Sequence, residues 1–345
     1  MNIQELAAEL RLSVSTVSKA LNGRPDVSAA TRERVQQAAR IYGFTPDPAA
    51  RRLRTQMTET VAFVISGAQT AFANPFFVDM LVGVNEVMDS RGYQVIVASA
   101  RSAETEIDLF KRLIERRRID ALMFGRTRRQ DERTAFLLER DIPFVTFGRS
   151  EASDDFAYVD IDHRVVGRAA CARFIALGHR RIALLHAQEH LMSSHLERLG
   201  YEEALRAAGI EFDPALRVEA QMTEQAGAAA ARTLLELPDP PTAFVCGHDL
   251  IALGVTRAAS ETGKVPGRDI GVIGGDNHPI GRYVQPALTT FTADTDRAGR
   301  KMAEMLLERL AGKPARELQE VWAPELIVRA SDGPQRLNAR YPSNP

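Results

Sequence analysis

Three groups of residues in this 345-residue chain have the types and spacing to do chemistry. In the first, Ser15, Thr16, Ser18 and Lys19 share one face of a short segment whose other face carries Val14, Val17, Ala20 and Leu21. Small hydroxyls and one cation let a helix backbone lie deep in a DNA major groove, where short side chains reach base edges or phosphates. The second is Ala49-Ala50-Arg51-Arg52-Leu53-Arg54, placed after the rigid break Thr45-Pro46-Asp47-Pro48. It is too short to be a stable helix in water and would form only when docked. Arginines for phosphates and one leucine to wedge between base pairs are what a minor-groove, DNA-kinking element requires. The third, His186-Ala187-Gln188-Glu189-His190, reads as His-x-x-Glu-His, a zinc-peptidase pattern. That chemistry needs both imidazoles on one helix face. His186 instead ends the apolar run Ile182–Leu185 and reads as strand, so no metal is expected there and the segment is expected to be a loop lining a cleft.

The elements that must position the first group are helical. Ile3, Leu6, Ala7 and Leu10 recur at helical spacing, and Arg11-Leu12 forms a tight turn. Ser13 is a suitable N-cap for the second helix, which Asn22-Gly23-Arg24-Pro25 stops. A third helix from about Ser28 carries Val35, Ala38, Ala39 and Tyr42 inward and ends at Gly43. Two short helices, a tight turn and a closing third describe a helix-turn-helix head. The blander alternatives are a three-helix bundle with a solvated polar face and, for the arginines, a charged linker. The lone Leu53 among the arginines favours the nucleic-acid reading.

From Thr60 the pattern changes to short apolar runs alternating with helical stretches. The runs are Val61–Ile65, Gln94–Ala98, Ala121–Phe124, Pro143–Phe147, Ala157–Ile161, Ile182–His186, Ala243–Cys246 and Ile270–Ile273, with a helix around Phe77–Arg91. This predicts two doubly wound α/β subdomains with parallel sheets covered on both faces. Ligands in such sheets sit beyond the carboxyl ends of the strands. The residues there are Asn74, Phe76, Arg126, Arg149, Asp162, His248, Asp249 and Asp276. Carboxylates and guanidinium groups with an occasional aromatic ring suit a polyhydroxyl ligand, since each hydroxyl can donate to one and accept from the other. Gly67-Ala68-Gln69-Thr70 is not a dinucleotide turn and no phosphate loop occurs, so no cofactor is expected.

Charge separates the two parts. Residues 1–57 hold nine Lys/Arg against five Asp/Glu, and the remainder holds 35 against 40, so a basic head precedes an acidic body although the whole chain carries −1. Two cysteines exclude a disulfide framework and fit a reducing compartment. No apolar run is long enough to span a bilayer, and the first residues lack the pattern of a secretory signal, so a soluble, cytoplasmic protein is expected.

Ile3-Gln4-Glu5-Leu6-Ala7, Ser15-Thr16-Val17-Ser18-Lys19-Ala20-Leu21-Asn22-Gly23, Val27-Ser28-Ala29-Ala30-Thr31-Arg32 and Tyr42-Gly43-Phe44-Thr45-Pro46 closely resemble the DNA-binding head of the lactose/galactose repressor (LacI/GalR) family. Farther on, Ala176-Leu177-Gly178-His179-Arg180-Arg181-Ile182-Ala183, Glu197-Arg198-Leu199-Gly200-Tyr201, Asp249-Leu250-Ile251-Ala252-Leu253-Gly254, Asp269–Asp276 and Pro286-Ala287-Leu288-Thr289-Thr290 resemble its type I periplasmic-binding-protein-like core. The resemblance implies that the second helix reads an operator, with Ser13, Val14, Ser15, Thr16, Ser18, Lys19 and Asn22 as its contacts. It also implies that Arg51, Leu53 and Arg54 belong to a hinge helix. In the core it implies that Asp162, Arg198 and Asp276 contact an effector, with Arg198 as the central anchor. Lys19 stands where the family usually has Arg, His248 where it usually has Asn, and Met222 about where the lactose repressor stacks an aromatic ring on its sugar.

The expected organisation is a head at 1–44, a linker and hinge at 45–58, a core at 59–330 and a tail at 331–345. Within the core, 59–160 plus 292–325 and 161–291 form the subdomains. One head reads few base pairs, so a homodimer on a pseudo-palindromic operator is expected, with no further assembly because the tail has no apolar heptads. The function so read is a transcriptional repressor, not an enzyme, released by a sugar such as an α-glucoside-type disaccharide. Two alternatives stand beside it: a repressor needing a purine-like co-repressor, and a sugar-binding protein that does not bind DNA.

Overall fold

The computed structural model describes residues 2–21, 24–44, 57–66, 75–100, 103–115 and 118–335. Asn22, Arg51, Leu53, Arg54 and Asn74 lie outside the described residues. The chain divides into two compact units, Met1–Glu59 and Thr60–Pro345.

The first unit holds α1 (Ile3–Glu9), α2 (Val14–Leu21) and α3 (Ala29–Ile41). Asn2 caps α1 through the Gln4 and Glu5 amides, and the Glu5 carboxylate accepts from the Asn2 amide in return. Ser13 Oγ accepts from the Thr16 amide at 3.0 Å and Ser28 Oγ from the Thr31 amide at 3.2 Å, which sets the starts of α2 and α3. Leu6, Val17, Ala20 and Val35 are fully buried and close one small core. Two residues expected inside are not. Val14 begins α2 ahead of the packed turn and is exposed, and Tyr42 caps α3 with its ring outside, donating its hydroxyl to Glu9 Oε1 at 3.2 Å.

The second unit contains two parallel sheets. The first runs β11-β5-β4-β3-β1-β2, from β1 (Thr60–Ser66), β2 (Gln94–Ala100), β3 (Ala121–Gly125), β4 (Phe144–Phe147), β5 (Ala157–Ile161) and β11 (Gln319–Trp322). One face packs on α4 (Pro75–Ser90) and α11 (Thr295–Leu310), the other on α5 (Ala103–Glu115) and α6 (Glu132–Leu138). The second sheet runs β7-β6-β8-β9, from β6 (Ile182–His186), β7 (Arg217–Glu219), β8 (Ala243–Cys246) and β9 (Gly271–Ile273). Its faces are covered by α7 (His163–Ala176) with α8 (Met192–Ala207), and by α9 (Glu224–Leu235) with α10 (Asp249–Glu261). The inner strands β1, β3, β4, β6 and β8 are short and almost wholly apolar because both faces are buried, whereas the edge strands β2, β7 and β11 are partly exposed. The antiparallel pair β10 (Thr290–Phe291) and β12 (Leu326–Ile327) completes the unit.

Helix pairs cross at glycines. A methyl group on Gly167 of α7 would collide with the Glu197 carbonyl of α8, and one on Gly200 of α8 with the Arg164 carbonyl of α7. The backbones therefore touch, which brings the start of α7 against the second and third turns of α8. Residues 331–335, read as the start of a tail, pack into the fold instead. Ser331 Oγ donates to the Val272 carbonyl at 2.6 Å and accepts from the Thr289 amide at 2.8 Å, and Asp332 pairs with Arg173 at 2.9 Å. Among the described residues, no helix is long and apolar enough to cross a membrane.

Candidate functional site

In the first unit, α2 presents Ser13, Val14, Ser15 and Lys19 exposed, with Thr16 and Ser18 half-buried. Lys19 Nζ pairs with Asp26 Oδ2 at 2.6 Å, and that hydrogen bond holds the Asp26 carboxyl below its ordinary range. The polar face expected from the sequence therefore exists, and its one cation already has an acidic neighbour.

In the second unit, the carboxyl ends of the two sheets face a cleft of about 120 Å³. Phe76, Phe77 and Phe147 make an apolar wall in edge-to-face contact, with the Phe76 ring 5.6 Å from Phe77 and 5.5 Å from Phe147. Arg126 follows β3 with φ 52°, a left-handed conformation that a non-glycine residue adopts at a cost. Its guanidinium lies over the Phe77 ring at 5.8 Å and 3.8 Å from Met222 Sδ, and burial lowers its pKa. Behind it, buried Arg133 donates to the Arg126 carbonyl at 2.9 Å and to Ser66 Oγ at 3.0 Å, and is itself held by Asp131 and Glu106. The strained turn is therefore fixed by a hydrogen-bonded network.

The opposite side is ionic. His163, the first residue of α7, meets Glu197 of α8, Nδ1 to Oε1, at 2.9 Å. Burial alone would lower the His163 pKa, but the Glu197 hydrogen bond and the charges of Glu197 and Asp160 outweigh it and raise it. Burial pushes the Asp160 carboxyl up, opposed by His163 and Arg149. His248 accepts the Leu250 amide at Nδ1, 3.2 Å, which leaves Nε2 as the donor to Asp276 Oδ2 at 3.1 Å. Burial lowers the His248 pKa, so this imidazole is neutral, and burial raises Asp276 to about 6. Asp249 lies beneath them, accepting from the Gly275 and His278 amides and from Thr290 Oγ1, and fixes the loop that carries Asp276.

Of the residues expected at an effector site, Phe76, Arg126, Met222, His248 and Asp276 line this cleft together. Arg149 and Asp162 do not. Arg149 Nε stands 2.9 Å from Asp160 Oδ2, behind the lining, and Asp162 caps α7 through the Arg164 amide. Arg198, expected as the anchor, also points away. Its Nε donates to Glu189 at 2.9 Å and Nη1 to Glu202 at 2.6 Å, while its neighbour Glu197 faces the cleft. Helical phase explains this: Glu197 shares its stripe with buried Gly200, Tyr201 and Ala204, whereas Arg198 shares its stripe with Glu202. Reading the phase of α8 back from Gly200 would have found Glu197. Asp160 and His163 were missed although they flank Asp162 at the same strand end.

A helix-turn-helix unit and a two-sheet parallel α/β unit with a polar cleft at its strand ends define the class of DNA-binding regulators that carry a ligand-sized cleft. Residues 2–47 match the description "Bacterial regulatory proteins, lacI family" and residues 171–331 match "Periplasmic binding protein-like domain". The transcriptional regulator CelR of Thermobifida fusca is 34% identical over 333 residues, 95% of this chain and 97% of that protein. The regulator AglR of Rhizobium meliloti is 35% identical, covering 97% of this chain and 95% of that one. The chain belongs to the LacI family of transcriptional regulators. Among solved structures, a CelR–cellobiose complex is similar over 96% of this chain and 99% of that one, at 32% identity and TM-score 0.74. The lac repressor dimer bound to operator and the anti-inducer ONPF shares the fold at 23% identity and TM-score 0.78, over 96% of this chain and 98% of that one.

Proposed function

We propose that this chain is a homodimeric repressor that binds a pseudo-palindromic operator and releases it when a sugar fills the cleft, with an α-glucoside-type disaccharide as the specific candidate. The observation that carries the reading is the composition of the cleft. A phenylalanine wall faces Asp160, Glu197, Asp276 and neutral His248, with Arg126 at the edge. Rings cover the apolar face of a pyranose while carboxylates, imidazole and guanidinium serve its hydroxyls. The CelR relative was solved with cellobiose, which supports a sugar of disaccharide size. A flexible thioether at Met222, in place of a stacking ring, leaves room for a second sugar. Trp322 stacks under Arg297 and lies outside the cleft lining, so it gives no second face for sandwiching a planar base.

Dimerisation is supported by exposed apolar side chains: Val78 and Val82 on α4, Val97 on the edge strand β2, and Ile280 and Tyr283 in the second subdomain. In this reading Ser13, Val14, Ser15, Thr16, Ser18, Lys19 and Asn22 contact the operator. Arg51, Leu53 and Arg54 act in a hinge helix that depends on the spacing of the cores, and Asp162, Arg149 and Arg198 hold the cleft from behind. No bond is made or broken; the work is the opposition of two binding equilibria, a coupling on the order of 1–3 kcal/mol. Calorimetry against mono- and disaccharides and nucleobases tests the ligand class. Binding of a disaccharide supports the reading, and binding of a nucleobase with no sugar bound overturns it.

A further inference from the structure

The end of β6 carries a second polar cluster beside the cleft but outside its lining. His186 is wholly buried and stands in register with Glu219 of the parallel neighbour β7, so the two side chains project from the same face. Glu189, three residues on, turns back toward them. One ligand atom from each of His186, Glu189 and Glu219 lies within 4.8 Å of the others, and His186 Nδ1 is 4.0 Å from Glu189 Oε2. Neither ring nitrogen of His186 nor Glu189 Oε2 has a hydrogen-bond partner among the described residues, although all three atoms are buried. A buried imidazole with both nitrogens unmatched is costly unless something satisfies them.

We propose that His186, Glu189 and Glu219 form a binding site for a divalent transition-metal ion of the zinc class. One neutral imidazole nitrogen with two carboxylate oxygens matches zinc, cobalt or nickel. Calcium and magnesium prefer all-oxygen shells, and copper(I) prefers sulfur. Burial lowers the His186 pKa, which keeps the ring in its ligating form. The other oxygen of Glu189 is already oriented, accepting from His195 Nδ1 at 2.8 Å and Arg198 Nε at 2.9 Å, as outer partners of metal carboxylates do. Arg217 is the competing cation, with Nη1 3.9 Å from Glu189 Oε2 and a third of its side chain exposed, so it can swing out as the metal enters. The His-x-x-Glu-His string is thus used through its first and fourth residues only. The third ligand comes from the adjacent strand, and His190 is not in the cluster.

The test uses the full chain, stripped with chelator and titrated with zinc chloride by calorimetry and with cobalt chloride by visible absorption. One equivalent is expected to bind, with a cobalt band of nitrogen–oxygen ligation. Glu219→Gln is at an exposed position and should leave folding intact while weakening binding by about tenfold or more. His186→Asn should abolish the cobalt band if it folds, and His190→Ala should change nothing. The proposal fails if no saturable binding occurs up to about millimolar metal, if Glu219→Gln binds as tightly as the parent, or if His190→Ala weakens binding as much as Glu219→Gln does.

Discussion

His163 Nδ1 and Glu197 Oε1 meet at 2.9 Å across the point where α7 and α8 touch backbone to backbone. The pair joins the start of one helix to the second turn of the other and sets the ionic side of the cleft. Its geometry depends on two glycines, a buried carboxylate and a histidine whose charge is favoured.

The raised pKa of His163 has a signed consequence. A group whose folded pKa lies above its unfolded value stabilises the fold fully below the unfolded pKa, about 6.5, and loses that contribution as pH rises through the folded value. Glu197→Gln removes the cause of the elevation. The melting temperature of the parent should therefore exceed that of the variant most at pH below about 6.5, with the gap closing as pH rises further. Paired thermal melts across pH check this, and a gap that widens with pH would contradict it.

Asp276, with its pKa raised to about 6, must be ionised to accept best from a sugar hydroxyl. Effector affinity should fall as pH drops through about 6, and Asp276→Asn should flatten that dependence while lowering affinity at neutral pH. Calorimetry at a series of pH values reads both effects.

Gly200→Ala introduces a methyl group against the Arg164 carbonyl. Neither backbone can move without opening the helix crossing, so the fold should lose about 1–3 kcal/mol. Effector affinity should fall with it, because separating α7 from α8 separates His163 from Glu197. Denaturant unfolding combined with ligand titration distinguishes the two losses.

Leu53→Ala removes the proposed wedge. Operator affinity should fall by about tenfold or more while effector affinity stays nearly the same, since a wedge of this kind would act only on the duplex. Fluorescence anisotropy with a labelled operator and calorimetry with the effector test the two halves, and equal operator binding by the variant would refute the hinge assignment.

Much of the architecture was legible in the sequence because buried parallel strands read as unbroken apolar runs. Ala157–Ile161, Ile182–His186 and Ala243–Cys246 fall where the sequence places them. The strands not foreseen are short or half-exposed. Arg217–Glu219 has three residues and two charges, and Gln319–Trp322 joins the first sheet from far along the chain, so neither presents an apolar run. In the cleft, residues placed by strand ends, such as Arg126, His248 and Asp276, were legible. Those placed by helical phase were not: the resemblance put the anchor on Arg198, and because a one-residue shift on a helix turns the side chain by about 100°, it is Glu197 that faces the cleft. Asp160 was hidden because its role depends on Arg149 behind it, a contact between neighbouring strands that spacing alone does not reveal.

The central claim is that a sugar in the cleft and the operator on the head exclude one another. Anisotropy of a labelled pseudo-palindromic operator, followed while the disaccharide found by calorimetry is added to the full chain, tests it most directly. The account predicts salt-sensitive binding of the duplex and its progressive loss as sugar saturates the cleft. Operator affinity that stays constant or tightens at saturating sugar would contradict it.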